Sequence, residues 1–163
     1  MSKLSDLIAG AYAVVCRVLN GFQNPLLLAI RLYWGWQFAT DGWGKLTHLD
    51  RVTDFFTTLG LPAPGTTALL VACVELFGGI LFAAGLASRL VSLVLFVNMT
   101  MAYLSVSDDR VNFSHIFSKP EDFYGAGPYT YWFAALLILI LGPGLFAIDT
   151  IIGRWYKRKT ARS

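Results

Sequence analysis

The sequence predicts an all-α integral membrane protein, a bundle of four spans, and three observations carry that prediction. The chain of 163 residues is 56% hydrophobic and only 14% charged, with a mean hydropathy of +0.58. Soluble domains are about a quarter charged, and a body this small keeps too much surface to hide so much apolar material. Four apolar stretches approach the roughly 20 helical residues that cross a hydrocarbon core. None shows the period-2 alternation of barrel strands, and the other structure that satisfies its own backbone in lipid is the helix. The same composition excludes disorder, a disulfide scaffold and a nucleic-acid module.

Residues 1–24 form an N-terminal segment in which Lys3 and an apolar run over 7–15 imitate a signal peptide. Val15, directly before Cys16, is not the small residue that lipoprotein processing prefers, and no clean A-x-A site follows. Apolar residues at 4, 7, 8, 11, 14, 15 and 18 have helical spacing instead. They predict an amphipathic helix lying in the membrane interface and feeding through Gly21 into the first span.

The transmembrane domain is expected over 25–149, with spans at about 25–46, 66–86, 88–106 and 129–148. Asn24 is a candidate cap and Pro25 suits a first helical position. The loop over 47–65 is punctuated by Gly60, Pro62, Pro64 and Gly65, with a short helix expected over 50–59. The loop over 107–128 carries Asp108, Asp109, Glu121 and Asp122, and its length predicts a folded cap or a contact surface. Gly142-Pro143-Gly144 either kinks the fourth span or starts a separate helix striped by Leu145, Ile148, Ile152 and Trp155. A basic tail, 150–163, closes the chain, and Asp149 is expected to pair with one of its cations.

Orientation follows from Lys and Arg. An even number of spans puts both termini on one side, with Lys3, Arg17, Arg89, Arg154, Lys157, Arg158, Lys159 and Arg162. Lys45, Arg51, Arg110 and Lys119 fall on the other. The excess predicts cytoplasmic termini, and the net charge of +3 reads as topology and attraction to anionic headgroups. Tyr33, Trp34, Trp36 and Trp43, with Tyr129, Tyr131 and Trp132 at the fourth span, partly fit an interfacial aromatic belt, though Trp34 and Trp36 lie deeper.

Cys16 and Cys73 make no CxxC, so thiol-disulfide chemistry and iron–sulfur ligation within the chain have no support. His48 and His115 lie in loops, which excludes a transmembrane bis-histidine haem. No intrinsic cofactor and no metal site are expected. Polar groups inside the spans are functional candidates by default: Arg31 on the first, Glu75 on the second and Asn98 on the third. Arg31, Trp34, Phe38 and Asp41 share one face of the first span. Three readings stand. Arg31 and Glu75 form a structural pair to which Asn98 adds a hydrogen bond; or these groups, with Trp34 and Phe38 as walls, hold a polar quinone-like headgroup; or Arg31 snorkels to the interface alone.

Arg31-x3-Gly35-x2-Phe38-x3-Gly42-x2-Lys45-Leu46 followed by Phe56-x3-Gly60-x-Pro62 resembles the first span and loop of the DoxX family. Glu75-x2-Gly78-Gly79, then Gly85-x2-Ser88-Arg89, is similar to its second span and turn, and Gly142-Pro143-Gly144 with Asp149 to its closing motif. The resemblance implies a small four-helix inner-membrane protein, related to the membrane subunit of thiosulfate:quinone oxidoreductase. It implies Arg31, Lys45, Glu75 and Arg89 as a polar signature. Asp41 stands where many relatives carry a histidine.

Two functions are therefore expected. One is a subunit of a quinone-dependent oxidoreductase that binds a membrane quinone among Arg31, Trp34, Phe38, Asp41, Glu75 and Asn98, with Glu75 as the proton site. The alternative is a non-enzymatic scaffold, assembly factor or small-solute carrier with a structural Arg31/Glu75 pair. Both place the chain in the bilayer with a protein partner or a second copy, and neither involves nucleic acid.

Overall fold

A computed structural model describes residues 3–160, so Arg162 of the basic tail lies outside the described residues. Every regular element among them is helical: α1 (Lys3–Thr47), α2 (Leu49–Thr58), α3 (Pro64–Ala84), α4 (Ser88–Ser105), α5 (Ser107–Ser114), α6 (Pro120–Gly125), α7 (Tyr129–Leu141) and α8 (Ile148–Thr160). α1 packs on α3 and α7, and α4 packs on the same two, so the four helices close a ring. Leu27, Phe38, Phe82, Val91, Leu95, Met99, Ala135 and Ile138 fill its centre.

α1 differs from expectation by running unbroken for 45 residues through Gly21 and Pro25. At about 1.5 Å per residue it is about 67 Å long, twice the hydrocarbon thickness of about 30 Å. Pro25 removes a single backbone donor, which costs the carbonyl four residues earlier its partner without ending the helix. Asn24 therefore caps nothing; its Oδ1 accepts a hydrogen bond from the Leu145 amide at 2.9 Å. Before this point, Leu7, Ile8, Tyr12, Val14, Val15, Val18, Leu19 and Phe22 are all exposed.

Close approach of α1 to α3 is a property of glycines. A Cβ at Gly42 would lie 2.3 Å from the Leu76 nitrogen, and one at Gly79 would lie 2.5 Å from the Ala39 nitrogen. Both obstacles are backbone and cannot rotate away, so the helices touch main chain to main chain, as small residues allow in membranes.

Among the described residues three helices are long and apolar enough to cross a membrane: Leu7–Thr47 within α1, α3 and α4. α7 is apolar but has only 13 residues, about 20 Å, where a span over 129–148 was expected. Gly142, at φ +82°, turns the chain out of the helix and Pro143 prevents its resumption. The chain restarts as α8, in line with a separate helix after the break.

The loops are folded. α2 replaces the short helix expected over 50–59 almost residue for residue. Over 107–128, α5 and α6 form a cap whose interior is aromatic. Tyr103 is fully buried, stacks on Phe123 at 5.2 Å, and donates its hydroxyl proton to the Phe123 carbonyl at 2.9 Å. Burial, reinforced by Asp108, pushes the Asp109 carboxyl in this cap upward.

Candidate functional site

The antiparallel register of α1 and α3 decides which polar groups meet. Gly42 lies against Ala72 and Leu76, and Gly35 against Gly79 and Ala83. Continuing that register places the turn at 41–45 beside Glu75 and Arg31 beside Gly85. Ten residues of α3, about 15 Å, separate those two levels. Two polar centres result where one was expected, and the expected Arg31/Glu75 pair does not form.

At the first centre, the Lys45 ammonium donates to Glu75 Oε2. Asn98 Nδ2 from α4 donates to Oε1 at 3.2 Å, so both oxygens of the buried carboxylate have partners. Tyr131 from α7 donates its hydroxyl to Asp41 Oδ2. Asp41, Lys45, Glu75 and Tyr131 line one end of a cavity of about 210 Å³ whose other walls include Phe38, Met99 and Pro128. Phe38 is fully buried, and its ring meets that of Tyr131 edge-on at 4.9 Å.

Of the residues expected to form a pocket, the structure brings Phe38, Asp41 and Glu75 to this cavity and sets Asn98 behind Glu75. Trp34 is not in the lining; it packs on Tyr131 at 5.1 Å and supports that ring from one turn away. Arg31 is excluded altogether. Sequence reasoning missed Lys45 and Tyr131 as members. Lys45 continues the stripe 31, 34, 38, 41 by one more turn, a signal that was present. Tyr131 looked like an interfacial aromatic and had no such mark.

At the second centre, Arg31 is fully buried, and its Nη2 donates to the Phe146 carbonyl at 2.8 Å. A Cβ at Gly85 would overlap the guanidinium, so that glycine supplies the space it occupies. Asp149 corrects a second expectation, because its partners are not cations of the tail. Its two oxygens accept from the Ala87 and Ser88 amides at 2.8 and 2.7 Å, and its own amide donates to the Gly85 carbonyl at 3.0 Å. The carboxylate thus caps α4 from a distant part of the chain. Burial raises its pKa, but the Ser88 and Ala87 hydrogen bonds and the charge of Arg31 outweigh that and hold it below the ordinary value.

Among the described residues no three His, Cys, Asp or Glu side chains are grouped to hold a metal, and both cysteines are unbonded. The first centre offers a small, mainly apolar cavity. At its polar end the Tyr131 hydroxyl proton is taken up by Asp41, while the Lys45 ammonium keeps N–H donors beyond the one given to Glu75.

Membrane-spanning helices with a polar cavity between them define the class, an integral membrane protein of helical type. The sequence model of the DoxX family matches residues 26–108, half of the chain, from the start of the packed part of α1 to the first turn of α5. The protein belongs to the DoxX family. It is 32% identical over 79 residues to a Bacillus subtilis (strain 168) protein named "Putative oxidoreductase CatD", a match covering 48% of this chain and 58% of that protein. It is 26% identical over 136 residues to "Inner membrane protein YphA" of Escherichia coli (strain K12), covering 79% and 92% respectively. No solved structure matches.

Proposed function

We propose that this protein is the inner-membrane subunit of a quinone-linked redox system and binds a quinone-like headgroup in the cavity between α1, α3, α4 and α7. In this reading those four helices form the transmembrane bundle, with both termini cytoplasmic by the distribution of Lys and Arg. Lipid then covers the exposed apolar residues of α1 before Pro25, from Leu7 to Phe22. The single observation that carries the reading is the composition of the cavity. Phe38 and Met99 form apolar walls, and the Lys45 ammonium places a donor at the polar end.

The fit is to a headgroup alone. Ligand pockets commonly measure about 300–1,000 Å³, and 210 Å³ admits a single ring while leaving an isoprenoid tail to exit between helices. When bound, the quinone supplies the two-electron couple that the chain lacks. Lys45, whose ammonium has N–H donors beyond the one given to Glu75, would hold a carbonyl oxygen by a hydrogen bond, and Phe38 would pack on the ring. Glu75 compensates the Lys45 charge, so its use as a proton site requires the ligand to separate the pair. The name of the Bacillus relative agrees with a redox role.

One observation favours a second reading. The Lys45–Glu75 pair is closed and carries a third hydrogen bond from Asn98, as expected for a structural lock in a scaffold or assembly factor. Glu75→Gln separates the two. The protein purified in nanodiscs is extracted and its quinone quantified by mass spectrometry against matched membrane-protein controls. Near-stoichiometric quinone in the wild type, reduced in a folded Glu75→Gln, supports the redox subunit. No enrichment in the wild type, with loss of assembly in the variant, establishes the scaffold.

A further inference from the structure

A larger groove, about 430 Å³, lies at the opposite end of the molecule from the cavity. It runs between the α3–α4 turn and the start of α8, and Arg89, Leu90, Pro143, Asp149 and Thr150 line it. Arg89 is exposed, and a Cβ at Gly142 would come within 3.6 Å of its Nη2, so the guanidinium stands over the Gly142 turn. Among the described residues the one ion pair is Lys45–Glu75, which leaves Arg89 uncompensated. Asp149 does not neutralise it, because both its oxygens are turned to the Ala87 and Ser88 amides.

We infer that this groove is a binding site for the headgroup of an anionic phospholipid, with Arg89 on the phosphate. Three features select that chemistry. Arginine presents a planar fork matched to phosphate oxygens. On α8, Arg154 follows Thr150 by four residues and Lys157 by seven, so two further cations share the groove-lining face of that helix. An apolar track leads away from the groove along α4, where Leu90, Leu93, Val94, Val97 and Met101 are all at least 45% exposed. A free phosphate ion makes no use of the apolar track, and a zwitterionic lipid, with no net charge, gains less from the added cations. Basic pockets at the ends of membrane helices bind acidic headgroups on this basis.

The test is lipid titration of the whole protein in detergent, read by native mass spectrometry. Phosphatidylglycerol should bind at least tenfold more tightly than phosphatidylcholine. Arg89→Gln should lower phosphatidylglycerol affinity about tenfold, the loss of one charge-assisted contact, and Arg154→Gln with Lys157→Gln should erode the preference for it. Lys119→Gln, at the other end of the molecule, should change nothing. Equal binding of the two lipids, or unaltered binding by Arg89→Gln, overturns the inference. Full displacement of phosphatidylglycerol by millimolar inorganic phosphate overturns it too, in favour of a free-anion site.

Discussion

Lys45 and Glu75 lie on different helices and form an ion pair. Glu75 is 2% exposed and Lys45 32%, so the pair is largely withdrawn from water. Removing one member of such a pair leaves a buried charge uncompensated and costs about 3–5 kcal/mol, whereas removing both can be neutral. Lys45→Met should therefore destabilise the protein by about 3 kcal/mol, and adding Glu75→Gln should restore most of it. Denaturant unfolding in detergent, arranged as a double-mutant cycle, measures the coupling; additive effects would mean that the two groups do not act together. Glu75 itself stood out in the sequence as an acid in the middle of an apolar run. Its partner did not, since counting depth from assumed span ends cannot supply the register between two helices.

At the scale of the element, the glycines of α1 divide into two kinds that spacing does not distinguish. Gly42 faces backbone on α3, with the Ala72 carbonyl and the Leu76 nitrogen inside the volume of a methyl group. Gly44, two residues on, has nothing within 4 Å. Gly42→Ala should cost about 1–3 kcal/mol by forcing the helices apart. Gly44→Ala should stabilise by about 0.5–1 kcal/mol through helix propensity. Thermal unfolding of the two variants in one detergent checks both signs, and equal shifts would show that α1 and α3 are less closely packed than described. The helices themselves were legible from apolar runs and from Gly/Pro punctuation. Their ends were less so. Pro25 reads as a start and is interior, because a single missing donor does not stop a helix already formed on both sides. The Gly142-Pro143 break reads as a kink or a stop, and Gly142 at positive φ makes it a stop.

For the molecule as a whole, three distant segments are tied together at the Asp149 end. Arg31 holds the Phe146 carbonyl, Asn24 holds the Leu145 amide, and Asp149 holds the α3–α4 turn. The folded-state pKa of Asp149 is depressed, so its carboxylate contributes stability that is present above the unfolded value of about 3.9 and is lost as pH falls through the folded value. The wild type should accordingly be more stable than Asp149→Asn at neutral pH. The difference should shrink once the pH drops below about 4. Thermal midpoints of the two proteins measured across that range test this, and a gap that persists in acid would place the stabilisation elsewhere.

Composition and periodicity by themselves determined that the chain is helical, lies in a membrane, has a folded loop over 107–128 and carries charge inside its spans. These are properties of local stretches, set by how water, lipid and backbone hydrogen bonding act on consecutive residues. Which charges meet was decided only by the tertiary structure. Main-chain contact at Gly42 and Gly79 sets the α1–α3 register. That register sends Glu75 to Lys45 and leaves Arg31 with Gly85 and the C-terminal turn. A shift of a few residues along either helix would pair them differently, and nothing local to either sequence segment encodes the shift.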